Sequence, residues 1–218
     1  MKNVRTNNPE PTYITAEEAI TPECAKTLME LVDERGKRSE WSYNPWCTEL
    51  QISNPFSKVR SENDEKIISV LPELFSIGES LMRHVNWCFG NTVCELATGH
   101  HGFWILRYDK GGTFDQHCDW DSGPEGIRPP IVATAAILLN DWYSGGRTVL
   151  FDSTGAEAMI EQPKLFDATV WDGFTQHQVE KITDGSRYAL VIHYTGTIKW
   201  IGFGKKKHKS RKSKKRLS

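Results

Sequence analysis

The chain has 218 residues, a net charge of −1, 38% hydrophobic residues and eight Trp, which fits one medium domain, or one domain with appendages, around a real core. No apolar run is long enough to cross a membrane, and the first ten residues lack the apolar stretch of a secretory signal, so no membrane partner and a cytoplasmic location are expected. The five Cys (Cys24, Cys47, Cys88, Cys94, Cys118) are odd in number and contain no Cys-x-x-Cys, which excludes a disulfide scaffold or zinc knuckle and implies free thiols in a reducing compartment.

The small net charge hides an asymmetry. Residues Lys205 to Ser218 hold nine Lys or Arg and no acid; removing those nine from 27 leaves 18 basic against 28 acidic residues, a body of net charge −10. The protein is an acidic domain with a cationic tail.

In chain order, residues 1–13 are polar and read as an extended lead-in. Thr21-Pro22 marks a helix start, with Thr21 as N-cap and Pro22 in the first turn. Cys24, Leu28, Leu31 and Val32 form one buried stripe, and Gly36 fits a C-cap. Lys37 to Lys58 is loop-like or short-stranded and aromatic (Trp41, Tyr43, Trp46, Phe56), packing on the domain or closing over a cleft. Ser61 through Phe89 is helical in pattern, with Pro72 expected to start a new helix or kink the old one.

After Asn91 the texture changes to strands. The candidates are 92–96, 103–108, 114–118, 131–139, 148–151, 156–160, 168–171, 176–180 and 187–195. Turn pairs such as Gly111-Gly112, Gly145-Gly146, Asp172-Gly173 and Asp184-Gly185 separate most of them. About eight strands without intervening helices suggest a jelly roll or barrel. The expected fold is mainly β with supporting N-terminal helices, a double-stranded β-helix. It divides into an N-terminal extension (1–20), a supporting helical region with the aromatic loop (21–91), the β core (92–204) and a disordered basic tail (205–218).

The chemistry concentrates in Phe103 to Asp121. His117 and Asp119 fall at i and i+2 of a predicted strand, on one face. One imidazole and one carboxylate side by side hold two corners of an octahedral metal, and a further His completes a facial triad with open positions for Fe(II). The pair alone equally describes a hydrogen-bonded structural His-Asp. His177, on a later strand, is the best third ligand; His84, His100, His101 and His208 are placed less well. Arg187 leads into the apolar strand Tyr-Ala-Leu-Val-Ile. It reads as a structural salt bridge or as a fork for a carboxylate. Tyr108 ends a strand and can add a phenolic hydrogen bond. Together these groups imply a 2-oxo acid chelating the metal.

Four motifs in order resemble the iron- and 2-oxoglutarate-dependent dioxygenases, specifically the prolyl 4-hydroxylase-like branch, over roughly Ile20 to Gly196. They are the opening helix after Ile20-Thr-Pro-Glu-Cys; Arg107-Tyr108, Gly111 and Thr113-Phe-Asp-Gln-His-Cys-Asp-Trp120; Thr134 with Leu139-Asn-Asp-Trp-Tyr-Ser-Gly-Gly-Arg-Thr148; and His177-Gln-Val, Thr183, Gly185 and Arg187-Tyr188. The resemblance implies Fe(II) on His117, Asp119 and His177. It also implies that Arg187 and Tyr108 hold the distal carboxylate of 2-oxoglutarate, with O2 as oxidant and ascorbate keeping the iron reduced. It implies oxidative decarboxylation to succinate and CO2 coupled to hydroxylation of a C–H bond, with a protein or peptide proline as the leading substrate.

The chain departs from the branch at Phe114 (commonly Tyr), Ile131 (an Arg in some members), Arg147 (Glu in the Gly-Gly-Glu-Thr segment) and His193 (commonly Trp). Several of these lie where the resemblance implies that substrate is oriented. The alternatives are a 2-oxoglutarate oxygenase of a free amino acid, another small molecule or a nucleic-acid base, and a catalytically silent jelly-roll binding module. The tail reads either as a solubilising end or as a sequence-independent, salt-sensitive polyanion contact.

Overall fold

The computed structural model describes residues 2–7, 13–35, 47–52, 64–88, 92–96, 102–120, 130–159 and 164–198. Trp41, Tyr43, Trp46, Phe56, Gly36, His100, His101 and the tail from Lys205, all weighed above, lie outside them. The elements are β1 (Lys2–Asn7), β2 (Tyr13–Glu17), α1 (Pro22–Arg35), β3 (Cys47–Ile52), α2 (Asp64–Cys88), β4 (Thr92–Leu96), β5 (Phe103–Asp109), β6 (Phe114–His117), β7 (Ile131–Leu138), β8 (Tyr143–Gly145), β9 (Thr148–Phe151), β10 (Glu157–Met159), β11 (Ala168–Asp172), β12 (His177–Val179) and β13 (Ile182–Ile198).

Thr21 caps α1 by accepting the Cys24 N–H on Oγ1 at 3.3 Å, and Pro22 opens the helix where its missing N–H has no cost. The Glu73 carboxylate of α2 accepts from both the N–H and the hydroxyl of Thr21, at 2.9 and 3.1 Å, which ties the two helices together. Cys24, Leu28, Leu31 and Val32 are all buried, as their spacing requires. Helix α2 continues through Pro72 for 25 residues, so Pro72 does not begin a new helix. Pro72 and Ile68, the residue whose carbonyl loses its helical donor, both lie on the exposed side, where solvent can serve the orphaned acceptor. Val70, Leu71, Leu74, Ile77, Leu81 and Val85 form the opposite, buried face.

Two antiparallel sheets form the jelly roll. Among the described residues the larger runs β1-β2-β11-β7-β13-β5-β3, with β4 and β8 also on β13, and the smaller runs β10-β9-β12-β6. β13 is the spine, and its side chains alternate. Tyr188, Leu190, Ile192 and Tyr194 join the core beneath the helices, while Arg187, Ala189, Val191 and His193 line a cavity between the sheets. The helices dock through polar ties as well as area: Asp33 accepts from Tyr188 Oη at 2.8 Å and Arg107 Nη1 at 3.0 Å, and Gly78 O accepts from Tyr194 Oη at 3.0 Å.

Two findings differ from the sequence reading. Residues 1–13, expected as an extended lead-in, contribute the strand Lys2–Asn7, which pairs with β2, itself paired residue for residue to β11 from Ala168↔Ala16 to Trp171↔Tyr13. β3 is the short strand that one reading of Lys37 to Lys58 allowed, and it extends the sheet beside β5. β13 begins at Ile182 rather than Arg187, because its first residues pair with β8 across a register shift.

Candidate active site

β6 and β12 lie side by side in the small sheet with His177 directly opposite His117, ring centroids 4.2 Å apart. β6 ends at His117, so Asp119 stands in the bend that follows, not on the strand as expected. Two contacts set its place. The Trp120 N–H donates to Gly173 O at 2.7 Å, and Thr134 Oγ1 donates to Asp119 Oδ2 at 2.6 Å from β7 across the barrel. Asp119 Oδ1 then lies 3.5 Å from His117 Nε2 and Oδ2 lies 3.6 Å from His177 Nε2. One ligand atom from each of the three side chains falls within 4.8 Å of the others.

The tautomers decide what this cluster wants. His117 Nδ1 is 2.7 Å from Asp115 O and His177 Nδ1 is 3.0 Å from Thr175 O. A carbonyl only accepts, so both Nδ1 atoms carry the proton and each neutral ring turns a lone pair on Nε2 toward Asp119. Two lone pairs and a carboxylate converging on one point repel unless a cation sits among them, and imidazole, imidazole and carboxylate is a donor set that suits Fe(II). Burial pushes the His177 imidazole down, with Asp119 opposing. Burial acts the same way on His117, but the hydrogen bond and charge of Asp119 outweigh it and raise its pKa. Burial also opposes the charge of Asp119, but His177, His117, His193 and Thr134 together hold it well below the usual carboxylate range.

The triad opens into a cavity of about 230 Å³ whose far end is polar. There Arg187, only 3% exposed, donates from Nη2 to Thr148 Oγ1 at 3.0 Å and lies over the Tyr108 ring at 5.5 Å. Its Nε–H is buried with no hydrogen-bond partner. Burial, then the neighbouring Cys47, push the Tyr108 phenol well above its ordinary pKa against the pull of Arg187, so Tyr108 stays a protonated donor. Register sets the distance between the two ends. His177 pairs with Leu150 and Val179 with Thr148, so the two ends are two residues, or about 7 Å, apart along the strand. Thr148 was quoted in a motif but given no role by the sequence; the signal was its place after Gly145-Gly146. Both glycines have positive φ (76° and 62°), and a Cβ on Gly146 would meet Ile182 Cδ1 and come 3.3 Å from Arg187 Cδ. The bare turn lets the Arg187 stem pass.

Residues 103–195 match the 2OG-Fe(II) oxygenase superfamily. Over these residues the chain is similar to a 2OG-Fe(II) oxygenase domain. Oxygenases of this superfamily use Fe(II), 2-oxoglutarate and O2. The chain is similar to a PKHD-type hydroxylase of Pseudomonas putida, 30% identical over 95 residues that cover 40% of each protein. It is also similar to a PKHD-type hydroxylase of Pseudomonas aeruginosa, 33% identical over 89 residues, 38% of each. It therefore spans about two fifths of the length of the curated relatives it matches. Among solved structures it resembles a Trichoplax adhaerens prolyl hydroxylase in complex with a hypoxia inducible factor oxygen degradation domain peptide fragment. The TM-score is 0.62 at 15% identity over 86% of this chain and 84% of that one. A Pseudomonas putida prolyl-4-hydroxylase gives 0.54 at 14% identity over 85% and 92%. At such identities the likeness is one of fold, the same jelly roll.

The remaining expected positions sort themselves around the oxygenase site. Phe114 and His193 line the cavity, with the Phe114 ring 4.4 Å from that of His117. Arg147 is taken up by a two-pronged pair with Glu180, both contacts 2.6 Å, and does not line the cavity. His84 is on α2, its Nδ1 2.8 Å from Ser80 O. Among the described residues no helix is long and apolar enough to cross a membrane.

Proposed function

We propose that the protein is an Fe(II)/2-oxoglutarate-dependent dioxygenase that hydroxylates a C–H bond of a peptidyl proline. His117, Asp119 and His177 hold Fe(II); Arg187, Thr148 and Tyr108 hold the distal carboxylate of 2-oxoglutarate. The observation that carries this reading is the pair of metal-ready Nε2 atoms facing Asp119, one pleat repeat from a buried guanidinium with a spare N–H. With Fe(II) bound, 2-oxoglutarate and O2 are converted to succinate and CO2 while one oxygen atom enters the substrate C–H bond.

The chain's own groups do the rest. The carbonyls of Asp115 and Thr175 fix both imidazole tautomers, and Thr134 fixes the carboxylate. Arg187 neutralises the buried distal carboxylate and, with Thr148 and Tyr108, orients the co-substrate along Ala189 and Val191. The apolar walls, Leu106, Phe114 and Val179 among them, exclude bulk water from the reacting end. A peptide substrate is supported by the prolyl hydroxylase fold, one example of which was solved with a peptide. The test is incubation with Fe(II), 2-oxoglutarate and ascorbate, followed by mass spectrometry of proline-containing peptides and assay of succinate. A gain of one oxygen on proline, matched by succinate, is the expected result. Succinate release stimulated instead by a free amino acid or a nucleobase, with every peptide unmodified, would replace the prolyl assignment.

A further inference from the structure

Buried polar groups in folded proteins are nearly all hydrogen-bonded, so a buried donor left without a partner on a cavity wall calls for an acceptor inside the cavity, a water or a ligand. Among the described residues, three nitrogens that carry a proton whatever the tautomer belong to this class and to the cavity lining: Arg187 Nε, Trp171 Nε1 and Trp104 Nε1. Arg187 answers to the distal carboxylate already described. The two indoles have no role in that account, and Phe or Leu would fill their volume without an unpaired N–H.

Their surroundings separate them. Trp171, on β11, is 3% exposed, and its ring lies 4.7 Å from that of His177. Its backbone is paired with that of Thr134, whose hydroxyl holds Asp119. The ring packs with Leu150, the cross-strand partner of His177, and with Val191 on the cavity wall. Trp171 thus flanks His177 and is the cross-strand neighbour of the residue that holds Asp119. Trp104, on β5, is only half-buried and pairs across to Val191, two residues along β13 from His193, the partner of Thr134.

A 2-oxo acid chelating a metal uses the keto oxygen and one oxygen of the adjacent carboxylate. The second oxygen of that carboxylate is left over, charged, and shut away from water. It needs a donor. Arg187 cannot serve it, being committed about 7 Å away along the strand. We propose that the Trp171 indole N–H is a positioning donor to this second oxygen of the metal-proximal carboxylate, fixing the orientation of the chelate beside His177. This rests on the 2-oxoglutarate reading above. It adds a residue whose N–H no hydrophobic substitute at this position would supply.

The test uses the full chain loaded with Zn(II), which is diamagnetic and redox-silent, and 2-oxoglutarate as the probe. In a ¹⁵N-labelled sample the indole N–H signal of Trp171, assigned by its contacts to the Leu150 methyls and by its loss in Trp171→Phe, is expected to move downfield on saturation. Its exchange with solvent should also slow. In calorimetric titrations, Trp171→Phe should weaken 2-oxoglutarate binding roughly ten- to hundredfold, the contribution of a hydrogen bond to a charged group. Zn(II) affinity should stay within about threefold, because no ligand is removed. The inference is overturned if the Trp171 signal stays put while 2-oxoglutarate binds, if the Trp104 signal moves in its place, or if Zn(II) affinity falls in parallel with co-substrate affinity. Should the variant fail to fold, the wild-type spectrum still decides. If the wild-type Zn(II) protein does not bind 2-oxoglutarate at all, the functional reading itself fails, which is a separate outcome from a bound ligand that ignores Trp171.

Discussion

Replacing Arg187 by Ala is the sharpest probe of the co-substrate end. In the ligand-free protein the guanidinium is buried, keeps one hydrogen bond to Thr148, stacks on Tyr108 and leaves Nε unpaired. Removing it deletes an incompletely satisfied buried charge, so the ligand-free fold should lose little stability. The bound state is different. The incoming carboxylate would sit in the same dry pocket with Thr148 and Tyr108 but no cation. Truncating one partner of a buried charged pair costs about 2–5 kcal/mol, which is roughly 30- to several-thousandfold in Kd. Arg187→Lys should fall between, because it keeps the charge and loses the planar fork and the ring contact. The assay is an anaerobic calorimetric titration of the Fe(II) protein with 2-oxoglutarate, beside a metal titration that should be unchanged for both variants. If Arg187→Ala bound 2-oxoglutarate as wild type does, the guanidinium would be structural and the assignment of the pocket's polar end would be wrong.

Gly146→Ala should lower both the melting temperature and 2-oxoglutarate affinity, since φ is 62° and the added methyl meets Ile182 and crowds the Arg187 stem; unchanged affinity in a titration would show that this turn does not set the guanidinium. Thr134→Val should weaken metal binding by about tenfold or more, because the 2.6 Å hydrogen bond that orients Asp119 disappears; metal titration with the fold checked by circular dichroism reads this directly. Cys24 and Cys47 should resist alkylation in the native protein. Burial first, then Glu73, push the Cys24 thiol up to about 12, and burial first, then Glu49, raise Cys47 further; rapid labelling of either at pH 8, read by mass spectrometry, would contradict their burial. Deleting Lys205 to Ser218 should leave 2-oxoglutarate turnover intact and remove salt-sensitive retention on heparin. Lost turnover would make the tail part of the catalytic domain.

Parts of this architecture were legible residue by residue. The α1 stripe of Cys24, Leu28, Leu31 and Val32 and its Thr21-Pro22 start follow from helical period and cap chemistry alone. So do most strand cores after Asn91, where apolar alternation and glycine turns reinforce one another. Other parts were not. Lys2–Asn7 has no apolar alternation, and it is a strand because β2 offers it a partner. Pro72 reads as a new helix start or a kink, yet the helix continues past it, with the orphaned carbonyl on the exposed side and the opposite face held by the core.

The sequence by itself named the residue types of the candidate site. His117, Asp119, His177, Arg187 and Tyr108 could be named because short-range spacing and the ordered motifs place metal-binding and carboxylate-binding chemistry in a chain otherwise built of strands. The tertiary structure decided how those groups meet. It set Asp119 in a bend held by Thr134 rather than on the strand face, put His117 opposite His177, and located Arg187 against Thr148. It also decided which nitrogen of each imidazole is free, through carbonyls two residues away, and which donors remain unpaired, Trp171 among them. These properties belong to cross-strand register and to the closure of one sheet over another. Residues dozens of positions apart become neighbours there, so no local pattern of periodicity or propensity carries the information.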